Sequence, residues 1–231
     1  MTNKKAAKKG EEGESQVSAF LEQDQNYHRL INNLVLLGSN NVSHQIDHIF
    51  IRENGIFVIE TKNYYGDIKG EEDNSFWTRS YFVKGKKKSV AFHNPLKQNQ
   101  SHIRIIKKII GKDYPIYCFV VFPQNNVDHL GIFNVCNLNT LLKRINIVSS
   151  ETCINKDEIE RVYNVLLSFE ADVNNEEHVE SVKKVEKERK EHQKQIRTAI
   201  EKRICPYCGN KLLFTKVGLV CQTCEKFIVK M

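Results

Sequence analysis

Apolar and polar residues alternate with period two over Gln45 to Arg52 and again over Ile56 to Lys62, which predicts two neighbouring strands. Between them lies Asn54-Gly55, the dipeptide favoured in a two-residue type I′ hairpin turn. With those two residues as the turn, Glu53 faces Ile56, Ile49 faces Glu60 and Asp47 faces Lys62. Ile49, Ile51, Ile56 and Val58 then fill the turn end of one face, and Asp47, Glu60 and Lys62 gather at its other end. From Glu11 to about Gln25 the period becomes helical, with Val17, Phe20 and Leu21 on the apolar side and Glu14 in the first turn. Tyr27 to Leu37 predicts a strand beside the hairpin. Shorter strands follow near Ile68, from Phe76 to Val83 and from Ser89 to Phe92, the last two linked by Lys84-Gly85-Lys86-Lys87-Lys88.

Asn94 as cap and Pro95 at the first helical position open a helix running to about Ile110. Leu96, Ile103, Ile106 and Ile110 belong to its apolar face, and Gln98 and His102, four apart, share another. Pro115 to Pro123 is nearly all apolar, as in a strand covered on both faces. A strand from Gly131 to Cys136 and helices from Leu138 to Ile145 and from Asn155 or Lys156 to Phe169 complete the pattern. The last helix carries the stripe Ile159, Val162, Tyr163, Leu166, Leu167. Strands set between helices predict an α/β domain with a mixed sheet flanked by helices over residues 10 to 172.

Composition changes the picture at both ends. Residues 1 to 9 carry Lys4, Lys5, Lys8 and Lys9 and predict a disordered basic arm, either solvated or in contact with phosphates. From His178 to Arg203 the chain is dominated by Lys, Glu, Arg and Gln with no Gly or Pro, which predicts a charged linker helix over residues 173 to 203. Val182, Val185, Ile196 and Ala199 form a heptad seam broken by Arg189 and His192, leaving a homodimer through this helix and a solvated spacer as alternatives. The net charge of +7 favours a polyanionic partner, of which nucleic acid is the commonest. No apolar run of about eighteen residues occurs, and the Lys-rich start lacks the apolar centre of a signal peptide, so a cytoplasmic protein without a membrane partner is expected.

Two groups of residues carry candidate chemistry. Asp47 and Glu60 a diagonal apart on apolar strands would repel unless a cation lay between them, and a hard divalent ion such as Mg²⁺ takes such oxygen ligands. Lys62 beside them could steady an oxyanion or orient an attacking water. The plainer alternative is an Asp47–Lys62 ion pair with Glu60 exposed at a strand end. In the tail, over residues 204 to 231, Cys205 and Cys208 are followed after twelve residues by Cys221 and Cys224, two knuckles that can close a tetrahedral Zn²⁺ site. So small a module lacks core enough to fold alone, so the metal should supply much of its folding free energy. Lys211, Lys216, Lys226 and Lys230 against Glu225 leave the tail basic. Cys118, Cys136 and Cys153 follow no pairing pattern and are expected to be free, buried thiols.

The spacing of Asp47, twelve residues, then Glu60-Thr61-Lys62 resembles the signature of the PD-(D/E)xK nuclease superfamily. More narrowly, GEEGE at 10 to 14, QIDHIFI at 45 to 51, NGIFVIETKNYYGDIKG at 54 to 70 and NPLKQN at 94 to 99 together resemble the NERD (nuclease-related) domain, over roughly Gly10 to the 120s. The tail resembles the zinc ribbons at the ends of bacterial topoisomerases. These resemblances imply a restriction-endonuclease-like mixed sheet and metal-dependent hydrolysis of phosphodiesters, with nucleic acid, most simply DNA, as partner. They imply that Asp47, Glu60 and the Thr61 carbonyl hold Mg²⁺ or Mn²⁺, that Glu14 completes the site from the first helix, and that Gln98 approaches the scissile phosphate. Without the resemblance, Glu14 reads as a complement to the helix dipole and His102 as a surface or supporting histidine. Two other readings stay open: an HNH-like site from His44, His48 and His93 with Asn94, and a nucleic-acid-binding or scaffolding protein that has lost turnover.

Overall fold

The computed structural model describes residues 3–38, 42–149, 153–171, 187, 191, 194–215, 218–224 and 226–230. They divide into two compact units, Met1–Asp172 and Val173–Met231. In chain order the first unit comprises α1 (Asn3–Leu21), β1 (His28–Leu37), β2 (Ser43–Arg52), β3 (Gly55–Thr61), β4 (Asp67–Lys69), β5 (Phe76–Val83), β6 (Lys86–His93), α2 (Pro95–Ile110), β7 (Ile116–Val121), a 3₁₀ turn (Asp128–Leu130), β8 (Val135–Cys136), α3 (Leu138–Ile147) and α4 (Lys156–Ser168). The main sheet has the order β1-β2-β3-β7-β8. Its β1 and β3 each run antiparallel to β2 between them, and β7 and β8 continue parallel to β3.

Helices cover the sheet on both faces. Ile49, Ile51, Ile56 and Val58 pack with Ile106 of α2 and Ile159, Val162 and Leu166 of α4. Phe50, Phe57 and Ile59, on the alternate positions, pack with Val17 and Leu21 of α1 and Leu141 and Ile145 of α3. This is the mixed α/β architecture anticipated from the pattern, and β3 is wholly buried at its centre. A smaller antiparallel sheet, β4-β5-β6, packs Ile68 and Trp77 with Leu96 of α2 and Val120 and Phe122 at the end of β7.

The hairpin register differs from the sequence expectation by two. Arg52 pairs with Gly55, Ile51 with Ile56, Ile49 with Val58 and His48 with Ile59, so the loop is Glu53-Asn54. Contacts distant in sequence set this choice. The Asn54 amide donates to the carbonyls of Ile145 and Val148 at the end of α3, at 2.9 and 3.1 Å. Gly55 has φ +146°, and a Cβ there would lie 2.5 Å from the Tyr117 ring, so this glycine serves a close approach at the start of β3. A shift of two leaves every side chain on its face. Carried one step beyond the paired residues, it sets Asp47 opposite Glu60 instead of Lys62.

Three other expectations change. The basic arm is helical from Asn3, because its Ala and Lys residues are good helix formers continuous with the buried face of α1. Lys86, Lys87 and Lys88 are residues of β6, opposite Val83, Phe82 and Tyr81, and the turn shrinks to Lys84-Gly85, both with positive φ as a type I′ turn requires. Of the strand anticipated from Gly131 to Cys136, only Val135–Cys136 pairs.

In the second unit residues 194–201 are helical. Val182 and Val185 of the proposed seam lie outside the described residues, as do Lys216 and Glu225. A three-stranded antiparallel sheet, β11 (Lys226–Lys230), β10 (Gly218–Cys221) and β9 (Leu213–Thr215), carries the tail, with β9 and β10 paired between the two knuckles. No helix among the described residues is long and apolar enough to cross a membrane.

Asn94 joins α2 to the smaller sheet. Its Oδ1 accepts from Leu96 N at 2.9 Å, and its Nδ2 donates to the carbonyls of Glu72 and Asn74 at 2.9 and 2.7 Å. Replacement by alanine removes a cap and the donor shared by carbonyls of the 71–74 loop, so Asn94→Ala should cost about 1 kcal/mol or more in urea unfolding. A loss below about 0.5 kcal/mol would show that the loop at 71–74 does not depend on this residue.

Candidate active site and metal centre

The ladder between β2 and β3 stops where the charges begin. Past His48 and Ile59, Asp47 Oδ2 accepts the Thr61 N–H at 2.7 Å, so a side chain takes the place of a backbone acceptor. On the other edge of β2, Asn33 of β1 lies opposite Asp47 in the register and has φ +55°. Alternation restarts there: Ile31 and Leu34, and likewise Ile46 and Ile49, are three apart yet share one apolar cluster. Asn33 is a residue type that tolerates this left-handed backbone.

Glu60 is buried at the end of β3, only 2% exposed, which removes the alternative of a solvated strand end. The Lys62 ammonium donates to Glu60 Oε1 and, at 3.2 Å, to Gln98 Oε1 on α2. The other Glu60 oxygen, Oε2, is buried with no hydrogen-bond donor, and His102 Nδ1, 3.8 Å away, also lacks a hydrogen-bond partner. Burial and then the Glu60 charge push the Asp47 carboxyl well above the usual range, against Lys62 and the Thr61 N–H, which favour its ionised form. Burial alone would lower Lys62, but Glu60 and Asp47 outweigh it and hold the ammonium raised. Glu14 of α1 is also raised, by burial and then by the Glu60 and Glu11 charges, with Lys62 opposing.

Carboxylates thus outnumber cations in a place shielded from water, and one oxygen has no donor. A hard divalent cation fits that donor set. Among the described residues, the group of three or more His, Cys, Asp or Glu that could hold a metal ion is the four tail cysteines, their sulfurs all within 4.8 Å of one another. Glu14 of α1 is near enough to Glu60 and Asp47 for its charge and theirs to raise one another.

Gly13 lets α1 come close to the exit of β3, since a Cβ there would lie 2.6 Å from Asn63 Cβ, just past Lys62. Asn63 Nδ2 donates to Lys9 O at 2.6 Å and ties the same two segments. Of three supports, sequence reasoning missed Asn99, left His102 between a surface and a supporting histidine, and gave His48 to the HNH-like alternative. Asn99 of α2 reaches between strands to the carbonyls of Val58 and Phe119 at 2.7 and 2.9 Å, and a polar residue three after Leu96 was the available signal. His102 is buried against Glu60, and burial lowers its pKa to about 4. His48 bonds Asn32 Oδ1 at 2.7 Å and Thr61 Oγ1 at 3.2 Å, and is likewise lowered to about 4 by burial. These engagements leave no HNH-like grouping: His44 packs on the His102 ring, and His93 on Phe76.

In the tail, Cys205 and Cys224 sulfurs are 3.7 Å apart, Cys208 and Cys221 3.5 Å, and Cys221 and Cys224 3.6 Å. Four sulfurs around a tetrahedral ion at about 2.3 Å are about 3.8 Å apart, so this cluster could hold zinc. Gly209 N donates to Cys205 O at 2.9 Å, closing the first knuckle, and Asn210 Nδ2 donates to Cys208 Sγ at 3.4 Å. Of the remaining thiols Cys136 is buried, Cys118 is half-buried and Cys153 is exposed, contrary to the expectation for the last. Burial pushes Cys118 and Cys136 up to about 12, which keeps them protonated.

The described carboxylates, Lys62 and Gln98 all fall within the span, residues 9–123, that matches the family model of the nuclease-related domain, NERD. An uncharacterized protein of Bacillus anthracis is 33% identical over 165 residues, covering 69% of this chain and 76% of that protein. The chain belongs to the NERD family. Its NERD segment runs from α1 to just past β7, and the cysteine cluster lies beyond it. No solved structure matches the chain.

The raised Asp47 carboxyl has a consequence for the metal-free NERD protein. The folded chain keeps that proton to higher pH than the unfolded chain does, so stability falls as pH rises from the ordinary carboxylate range through the raised value. In EDTA, Asp47→Asn should therefore raise the melting temperature at pH 8 and flatten the decline between about pH 5 and 8. A variant less stable than wild type at pH 8 would show that the charge is compensated in the fold.

Proposed function

We propose that this NERD protein is a metal-dependent nuclease that hydrolyses phosphodiester bonds in DNA, with the zinc ribbon aiding nucleic-acid binding. The carrying observation is the buried Glu60 oxygen that has no donor, set beside the raised Asp47 carboxyl. Asp47 and Glu60, with the Thr61 carbonyl and Glu14, would hold Mg²⁺ or Mn²⁺, which when bound supplies an acidified water and neutralises phosphate charge. Lys62 is held protonated by Glu60 and Asp47, so its role is that of a cation and not of a base. Fixed between Glu60 and Gln98, it orients the attacking water and meets the negative charge that grows on the phosphate oxygens. Gln98 keeps the ammonium in place and faces the same phosphate. In the balanced step a water oxygen bonds to phosphorus, the bridging P–O bond breaks, and the leaving sugar oxygen takes a proton. Cys205, Cys208, Cys221 and Cys224 would hold Zn²⁺ as a structural ion.

A non-catalytic nucleic-acid-binding or scaffolding protein is the second reading. The observation in its favour is that Lys62 already neutralises one Glu60 oxygen.

Cleavage of plasmid, linear and single-stranded DNA and of RNA decides between the two. The nuclease reading predicts cutting with Mg²⁺ or Mn²⁺, none in EDTA, and a fall of about a hundredfold or more in Asp47→Ala and Lys62→Ala preparations of equal zinc content. Cutting at wild-type rate in both variants would place the chemistry elsewhere. Salt-sensitive binding without cutting under any metal would favour the binding protein.

A further inference from the structure

Beside the carboxylates lies a second cluster of charge. The Arg79 guanidinium of β5 stands over three tyrosine rings, those of Tyr64, Tyr65 and Tyr81, at 4.8, 5.3 and 4.7 Å from their centroids. The Lys9 ammonium stands over the Tyr65 ring as well, at 4.3 Å. The two cations feel each other: burial and then the Arg79 charge lower Lys9. Neither makes an ion pair among the described residues, whose salt bridges lie elsewhere. No hydrogen bond from either side chain is present among them. A guanidinium held by ring faces keeps its five N–H donors in a fixed plane, and two such cations sharing one ring repel unless an anion lies between them.

The position connects this cluster to the cleavage centre. Tyr64 and Tyr65 follow Lys62 after Asn63, and Tyr64 N donates to Lys62 O at 2.8 Å. Lys9 is fixed by the bond from Asn63 to its carbonyl, at 2.6 Å. On β5, Arg79 and Tyr81 share a face by alternation, and the register sets Lys88 of β6 opposite Tyr81. Cations therefore run from the segment after Lys62 along one face of the β5-β6 hairpin.

We propose that Lys9 and Arg79, seated on Tyr64, Tyr65 and Tyr81 and extended by Lys88, bind internal phosphodiesters of the substrate strand next to the one that is cut. The proposal rests on the reading of the protein as acting on nucleic acid, and it adds the subsite that holds the strand. Arg79 takes a phosphate through paired N–H donors, Lys9 supplies a second charge to the same stretch of backbone, and the tyrosines hold the guanidinium in position.

The test is equilibrium binding of the full, zinc-replete chain to single-stranded DNA, with no Mg²⁺ or Mn²⁺ added, over a range of salt, which needs no turnover. Arg79→Gln and Lys9→Gln are each expected to weaken binding about fivefold at low salt and to lower the slope of log K against log salt by about 0.7. Arg79→Lys, which keeps the charge and loses the paired donors, should retain the slope with reduced affinity. Oligonucleotides with a 5′ phosphate and with a 5′ hydroxyl should bind alike. A preference for the 5′ phosphate that Arg79→Gln abolishes would overturn the assignment to internal phosphodiesters. Should Arg79→Gln fail to fold, Lys9→Gln and Arg79→Lys carry the same test. Wild-type cleavage that Asp47→Ala abolishes, with unchanged slopes in the neutral variants, overturns this subsite alone. Lowered slopes in a protein that cuts nothing would leave the subsite standing and overturn the nuclease reading.

Discussion

Burying carboxylates in the middle of a sheet is the constraint to which the rest of this domain answers. An ionised carboxylate removed from water is costly unless charge or hydrogen bonds replace its hydration. Asp47 is partly satisfied by the Thr61 N–H, and one oxygen of Glu60 by Lys62, while the other Glu60 oxygen has no donor. What surrounds them keeps this arrangement in place. Asn99 of α2 is bonded to two strands, Asn94 caps the same helix, and Gly13 lets α1 approach the exit of β3. Their shared effect is to hold the Asp47 and Glu60 carboxylates together, where a cation would relieve the charge that burial leaves uncompensated. A site of this kind stores a cost in the free protein that its ligand removes, and such local strain is common where binding occurs.

Much of this was legible in the sequence. Period-two alternation in the hairpin assigns faces, and that assignment survives a register error of two, so Asp47, Glu60 and Lys62 were brought together correctly even though the opposed pair was not. The register itself depends on Asn54 bonding the end of α3 and on Tyr117 packing over Gly55, contacts 60 to 94 residues distant in sequence. No local pattern carries them. His102 is a similar case, because its burial against Glu60 follows from the way α2 lies on the sheet. Lys86 to Lys88 look like loop residues by composition, and only their pairing with β5 makes them strand. The cysteine knuckles were the easiest to read, because ligand spacing within a short chain segment nearly fixes the geometry.

The two candidate metal centres differ in how they relate to folding. In the tail the sulfurs already lie at separations suited to a tetrahedral ion, and the core described around them is Leu212 and its neighbours, so a metal bound there would be coupled to the fold. In the NERD domain two apolar layers hold the sheet without any ion, and a cation would affect only the local charge balance. Removing zinc is therefore expected to act on the tail, whereas replacing Asp47 or Glu60 acts on one end of one hairpin.

The central claim is that Asp47 and Glu60 together hold a divalent cation. Its most direct test is electron paramagnetic resonance of Mn²⁺ titrated into zinc-replete protein, freed of other divalent ions by gel filtration, and into its Asp47→Asn and Glu60→Gln variants. The account predicts Mn²⁺ bound to the wild-type NERD domain, with affinity reduced about tenfold or more in each variant and tail zinc unchanged. Undiminished Mn²⁺ binding in both variants, or none in the wild type, would contradict it.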